Sequence, residues 1–139
     1  MKKYEIVANE VKYSLKDRWP ETTGLLDYMK REGGIALIAY TPLEKGTLAR
    51  NECLAEIGKK YGKTAAQVAL NYLIWEENVI AIPKAGNKAH LEENFGAMGW
   101  RLSKEDRENA RGGVSDVWLP EQDSPCKPDN WKGNLRRAS

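Results

Sequence analysis

At 139 residues the chain has the length of one domain, on a prior of roughly 100–200 residues per domain. Apolar residues make up 41% and charged residues 30%, which supports a core and excludes a wholly disordered or collagenous chain. The 22 basic and 20 acidic residues leave a net charge of +2, too little to argue for nucleic acid or an anionic membrane as partner. The longest strongly apolar run, residues 35–40, falls far short of the roughly 20 residues that span a bilayer. No long apolar stretch follows the start, so no signal peptide is expected. Cys53, Cys126 and the single histidine, His90, are too few and too scattered for a zinc centre or a disulfide framework. The expectation is a cytoplasmic protein with no metal, no membrane and no nucleic-acid partner.

Residues 4–11 read as a short strand closed by Asn9 and Glu10, and a loop with Trp19-Pro20 follows. Residues 21–32 read as a helix, with Leu25, Leu26 and Met29 on one face. Gly33-Gly34 ends it in the left-handed manner of a C-cap. Residues 35–40 are apolar throughout, as a parallel strand covered on both faces requires. Pro42 and Gly46 mark residues 41–46 as a loop. Asn51 caps a short helix through Leu54, Ile57 and Tyr61, stopped by Gly62. Thr64-Ala65-Ala66-Gln67 is a capping box opening a helix through Val68, Leu70, Leu73, Ile74 and Trp75. Residues 79–83 form a third strand. A Gly86-Asn87 turn leads to a helix over 88–98. Ser103-Lys104-Glu105-Asp106 resembles another capping box, opening a last helix that Gly112-Gly113 ends. Residues 114–139 carry Pro120, Pro125 and Pro128 without a sustained period. They read as an irregular C-terminal tail, disordered or lying on something.

The order β-α-β-α-β-α implies an α/β fold with a parallel sheet. Ligands of such sheets gather at the carboxyl ends of the strands. Three places qualify: Asn9-Glu10, Tyr40 to Leu43, and Lys84 to Asn87. Tyr40 reads two ways, as a core aromatic whose hydroxyl reaches water or as a flat platform for an aromatic ring. Lys84, beside the free amides of a helix start, reads as an anion site or as a solvated lysine. Glu93 and Asn94 are ordinary for the wet face of a helix. His90 has no Ser, Cys or Asp constellation around it. Asp17, Glu21, Asp27, Glu32, Glu76 and Glu77 read as solvated charges. No nucleophile elbow, Walker loop or GxGxxG is present.

Five segments together resemble the aldo-keto reductase family. They are Ala39-Tyr40-Thr41-Pro42-Leu43-Glu44-Lys45-Gly46, Lys60-Tyr61-Gly62-Lys63-Thr64-Ala65-Ala66-Gln67, Ile82-Pro83-Lys84, Glu92-Glu93-Asn94-Phe95 and Leu102-Ser103-Lys104-Glu105-Asp106. The resemblance implies a partial (β/α)8 TIM barrel: three parallel βα units, strands six to eight, over residues 1–113, followed by the tail at 114–139. A whole barrel takes about 250 residues. The family reduces aldehydes and ketones with NADPH or sometimes NADH, so the resemblance implies NADP(H) as cofactor, weakly held, and no metal.

By the same resemblance, Asn9 and Glu10 meet the nicotinamide carboxamide. Glu10 stands where the family commonly has Gln, and a carboxylate cannot donate as an amide does. Tyr40 stacks on the nicotinamide ring. Thr41, Leu43 and Gly46 wrap the pyrophosphate, and Lys84 pairs with the 2′-phosphate. Ala85 replaces a frequent Ser and His90 a frequent Arg, which weakens that phosphate site. Glu93 and Asn94 hold the adenine. The family's catalytic Asp, Tyr, Lys and His belong to the first half of the barrel, and none is expected in this chain. Tyr13, Tyr28 and Tyr40 do not match the catalytic motif.

Three strands of a closed barrel expose two edges and a bare inner face. Burying about six apolar side chains at roughly 1.5–3 kcal/mol each is a large share of a domain's stability. The expectation is therefore a homo-oligomer, a complementary N-terminal half-barrel on another chain, or a tail carrying Trp118 and Trp131 over the open face. The isolated chain is expected to be inactive. The alternative is a subunit of a split reductase that reduces aldehydes and ketones with NADPH once completed.

Overall fold

The computed structural model describes residues 5–114; the expectations for residues 115–139, including Trp118, Trp131 and Cys126, lie outside the described residues. Three strands, β1 (Ala8–Lys12), β2 (Ala36–Tyr40) and β3 (Val79–Ala81), form one parallel sheet in that order. Between β1 and β2 lie α1 (Trp19–Thr22) and α2 (Leu25–Arg31). Between β2 and β3 lie two 3-10 turns (Glu44–Gly46 and Leu48–Arg50), then α3 (Glu52–Lys59) and α4 (Ala65–Ile74). After β3 come α5 (Lys88–Phe95) and α6 (Lys104–Gly112).

Four of the expected boundaries shift. β1 begins later than residues 4–11, because it pairs with β2 from Ala8↔Ala36 to Lys12↔Tyr40. Its carboxyl end is therefore Lys12, not Asn9-Glu10. The expected helix over 21–32 is two helices. Pro20 sits in the first turn of α1, where its missing N–H costs nothing. The Thr23 hydroxyl then donates to the Trp19 carbonyl at 2.7 Å, and Gly24 at φ +77° breaks the run before α2. β3 stops before residue 83, although the Ile82 amide still donates to Ala39; Pro83 has no amide with which to extend the ladder. α5 ends at Phe95 rather than at 98.

Asn51 and Thr64 cap where expected, and Asn87, read from sequence only as part of a turn, caps α5 as well. Asn51 accepts from the Leu54 amide at 3.0 Å and Asn87 from the His90 amide at 2.8 Å. Thr64 and Gln67 exchange both bonds of a capping box. At Ser103 only half a box forms. Ser103 Oγ accepts from the Asp106 amide, but the Asp106 carboxylate accepts instead from Lys60 Nζ at 2.7 Å and Tyr61 Oη at 2.6 Å. Burial alone would raise the Asp106 carboxyl, but those two donors outweigh it and hold the group below its ordinary range.

Side chains alternate between the faces of a strand, and partners in register share a face. Leu37 and Ala39, with Val79, point toward the helices and are buried. They pack with Leu54, Val68, Tyr72 and Leu73 in the core. Glu10, Ile38 and Ile80 share the opposite face, as do Lys12 and Tyr40. No described element covers that second face: Ile80 is 51% exposed and Tyr40 41%.

Asn71, buried on α4, ties down the chain after α5. Its amide group donates to Ala97 and Trp100 carbonyls, each at 2.9 Å, and its carbonyl accepts from the Leu102 amide at 3.0 Å. Glu21 is not the solvated charge expected from sequence. It accepts from Tyr13 Oη at 2.6 Å and Tyr72 Oη at 2.9 Å, and pairs with Arg111 at 3.3 Å. Glu76 is likewise held, by Lys30 and by Arg107 at 3.1 Å. Burial, then the bond to Glu21, pushes the Tyr13 phenol far above its ordinary value. Burial with the Glu21 charge pushes Tyr72 up to about 12.

Two predictions follow from these contacts. Asn71→Leu strands the Leu102 amide and two carbonyls, so urea unfolding should show a loss of about 2–4 kcal/mol; a loss within error contradicts the bracing role. The tyrosines predict an alkaline limb. Above about pH 10 the unfolded chain releases phenolic protons that the folded chain keeps, so stability falls as pH rises. Phenolate absorbance should show Tyr13 and Tyr72 silent until the chain unfolds, and Tyr13→Phe should flatten the limb. Ionisation of every tyrosine near pH 10 in the folded state contradicts this.

Candidate functional site

The carboxyl ends of β2 and β3 open into a cleft of about 790 Å³. Loop 41–46 forms one wall, residues 82–86 the floor, and α5 the other wall. Thr41, Leu43, Gly46, Lys84, His90, Glu93 and Asn94 all line it. These are seven of the eleven residues singled out from sequence, brought together from segments up to about fifty residues apart. Lys45, Ala49 and Arg50 also line it and were missed. Their signal was two 3-10 turns, which carry no clear hydrophobic period. Lys45, Arg50 and Lys84 set three fixed cations against one carboxylate, Glu93, so the cleft favours an anion.

The other four candidates sit elsewhere. Tyr40 ends β2 on the uncovered face, with its ring open to solvent. Of its two sequence readings, the core aromatic is the one this exposure disfavours. Glu10 shares that face, two residues back along the adjacent strand. Asn9 does not. Alternation turns it to the helix side, where it lines a different hollow with Leu25, Tyr28 and Met29. A contact from Asn9 and Glu10 to one ligand group is therefore not what this strand presents. Ala85 lies beside Lys84 without lining the cleft.

The loop wall is strained. Thr41, Glu44 and Lys45 hold φ of 54°, 48° and 56°, and Gly46 holds 88°. A left-handed non-glycine residue costs of order 1–3 kcal/mol and persists only where its surroundings impose it. Here they do. The amides of Glu44, Gly46 and Leu48 donate to Thr41, Leu43 and Leu43 carbonyls. Glu44 reaches away from the cleft to Ser14 Oγ at 2.7 Å and Lys12 Nζ at 3.4 Å. Lys12 also meets Asp17 at 3.2 Å, and these two carboxylates, Asp17 foremost, hold its ammonium above the ordinary range.

A hollow at the opposite, amino-terminal end of the sheet is bounded by Lys30, Trp75, Glu76 and Arg101. Lys30 and Glu76 pair with each other there, and Arg101 lies 4.1 Å over Trp75. Strand polarity gives the carboxyl-end cleft the stronger claim. Among the described residues no cluster of His, Cys, Asp or Glu could hold a metal ion, and no helix is long and apolar enough to cross a membrane.

The family pattern described as Aldo/keto reductase family matches residues 1–111. Aldose reductase B of Dictyostelium discoideum is 39% identical over 108 residues, covering 76% of this chain and 32% of that protein. Among solved structures, a thermostable aldo-keto reductase in complex with the inhibitor epalrestat superposes with a TM-score of 0.73 at 39% identity, covering 80% of this chain and 41% of that one. An aldo-keto reductase from Klebsiella pneumoniae in complex with NADPH superposes with a TM-score of 0.69 at 26% identity, covering 88% and 43%. The chain thus spans about a third of the curated relative and under half of each solved structure, and its three βα units correspond to part of a barrel. With residues 1–111 of its 139 matched, the chain belongs to the aldo/keto reductase family.

Proposed function

We propose that this chain is the nucleotide-gripping part of an NADP(H)-dependent aldo-keto reductase, and that it does not turn over by itself. The observation that carries the reading is the cleft, where Lys84, the strained loop and α5 converge on one anion-favouring space beside the open ring of Tyr40. The donor set fits a dinucleotide phosphate. Lys84 would hold the 2′-phosphate, Thr41, Leu43 and Gly46 the pyrophosphate, Glu93 and Asn94 the adenine, and Tyr40 the nicotinamide face. When bound, NADPH supplies the hydride that reduces a carbonyl carbon. The chain's own part is to fix the ring and neutralise the phosphates. Two features argue for weak binding: Ala85 offers no hydroxyl next to Lys84, and His90 brings no fixed charge.

We read none of Tyr13, Tyr28 and Tyr61 as a proton donor to a carbonyl. Tyr13 is wholly buried on Glu21, Tyr28 stands exposed on α2, and Tyr61 is engaged with Asp106. We assign the proton-donating Asp, Tyr, Lys and His set to the barrel half that this chain does not match, reached through a complementary N-terminal half-barrel. The exposed surfaces support such a partner. Ile6 and Val7 are bare beside β1, Leu91 and Phe95 are bare one helical turn apart on α5, and Met98 is bare just beyond it. Such bare apolar side chains are where neighbouring βα units of a barrel would pack. Without them, the same surfaces would draw copies of the chain together as a homo-oligomer.

The test is a fluorescence titration of the chain with NADPH and with NADH. NADPH should bind more weakly than about 1 µM yet better than NADH. Lys84→Ala should weaken NADPH about tenfold, the scale of one charge-assisted contact, and leave NADH unchanged. An absent NADPH response, or a preference that survives Lys84→Ala, overturns the reading.

A further inference from the structure

We propose that Glu44 is a positioning residue for the nucleotide: its carboxylate latches loop 41–46 onto the exit of β1 and so holds the loop in the form that grips pyrophosphate. The inference rests on the NADP(H) reading and adds to it a residue on which that site depends.

Glu44 and Lys45 are adjacent and both left-handed, yet they face opposite ways. Lys45 lines the cleft, whereas Glu44 lines a separate small hollow with Lys12, Asp17 and Thr47. The turn between them therefore serves two surfaces at once. On the Glu44 side the partners are fixed before the loop arrives. Ser14 is wholly buried; its hydroxyl oxygen accepts from the Asp17 amide at 2.9 Å, and its amide donates to the Asp17 carbonyl at 3.1 Å. Its remaining hydroxyl proton has one acceptor, Glu44 Oε1 at 2.7 Å. Lys12 adds a charge to the same oxygen at 3.4 Å. It stands opposite Tyr40 in the sheet register, so the latch closes next to the ring platform. A loop with three left-handed non-glycine residues relaxes unless something outside it imposes that backbone. Ser14 and Lys12 hold Glu44 from outside its own segment.

The experiment uses the full chain and three variants, Glu44→Ala, Glu44→Gln and Ser14→Ala. Hydrogen exchange of the nucleotide-free protein reads the latch, most directly at the amides of Gly46, Thr47 and Leu48. Titration with NADPH and with adenosine 2′-monophosphate reads its use, because the second ligand needs Lys84 but has no pyrophosphate. Glu44→Ala should speed exchange in the loop alone, weaken NADPH about tenfold and leave adenosine 2′-monophosphate unchanged. Glu44→Gln, which still accepts from Ser14, should recover part of the loss, and Ser14→Ala should show the same pattern more weakly. Unchanged loop exchange in Glu44→Ala overturns the latch. So does NADPH affinity that ignores it, or a parallel loss of both ligands, which marks general unfolding. If the parent chain binds neither ligand, the NADP(H) reading fails and with it the positioning role, while the exchange result still reports whether the loop is latched.

Discussion

Among the described residues, the helices cover one face of the three-stranded sheet and leave the other bare. Leu37, Ala39 and Val79 are sealed against α2 and α4. On the opposite face Ile80, Ile82 and Tyr40 are between 41% and 51% exposed. A parallel sheet is ordinarily covered on both sides. Each large apolar side chain left in water forgoes roughly 1.5–3 kcal/mol, against a total stability of ~5–15 kcal/mol for a domain. That imbalance shapes everything else. It is the imbalance that the proposed partner would relieve, and Tyr40 lies on the exposed face.

The covered side is built to be stiff without the missing one. Full side-chain caps start α3, α4 and α5, Asn71 secures the link between α5 and α6, and Glu21 joins two buried phenols to Arg111. Gln67, besides closing its capping box, donates to the Glu93 carbonyl at 2.9 Å and so fixes α5 against α4. The cleft inherits this rigidity, since α5 forms one wall, loop 41–46 the other, and Lys84 lies on the floor between them. Preorganisation of this kind lowers the ordering cost of binding. Under the proposed reading, it lets a nucleotide-facing wall persist in a chain that spans a fraction of the proteins it matches.

Much of the fold could be read from local chemistry. The unbroken apolar stretch before Thr41 gave β2. Asn51, and Thr64 with Gln67, gave two helix starts, because a cap is satisfied by residues three positions away. The cleft residues came from the family resemblance joined to strand polarity. What failed was what depends on distant partners or on phase. Glu21 looks like any surface acid until Tyr13 and Tyr72 close on it. Asn9 and Glu10 look like a pair until alternation in β1 sends them to opposite faces. The break at Gly24 lies within a run whose apolar spacing is helical on both sides. Glu44 carries no sequence signal at all, since its value lies in a backbone twist that aims it at Ser14.

The central claim is a division of labour: this chain holds the dinucleotide, and the proton donor comes from elsewhere. Carbonyl-dependent oxidation of NADPH, followed with the purified chain and then with a separately produced N-terminal half-barrel of a related reductase added, tests it most directly. The account predicts no turnover from the chain by itself, and turnover on complementation that Lys84→Ala reduces. Reduction of an aldehyde at an ordinary enzymatic rate by the purified chain with nothing added would contradict it.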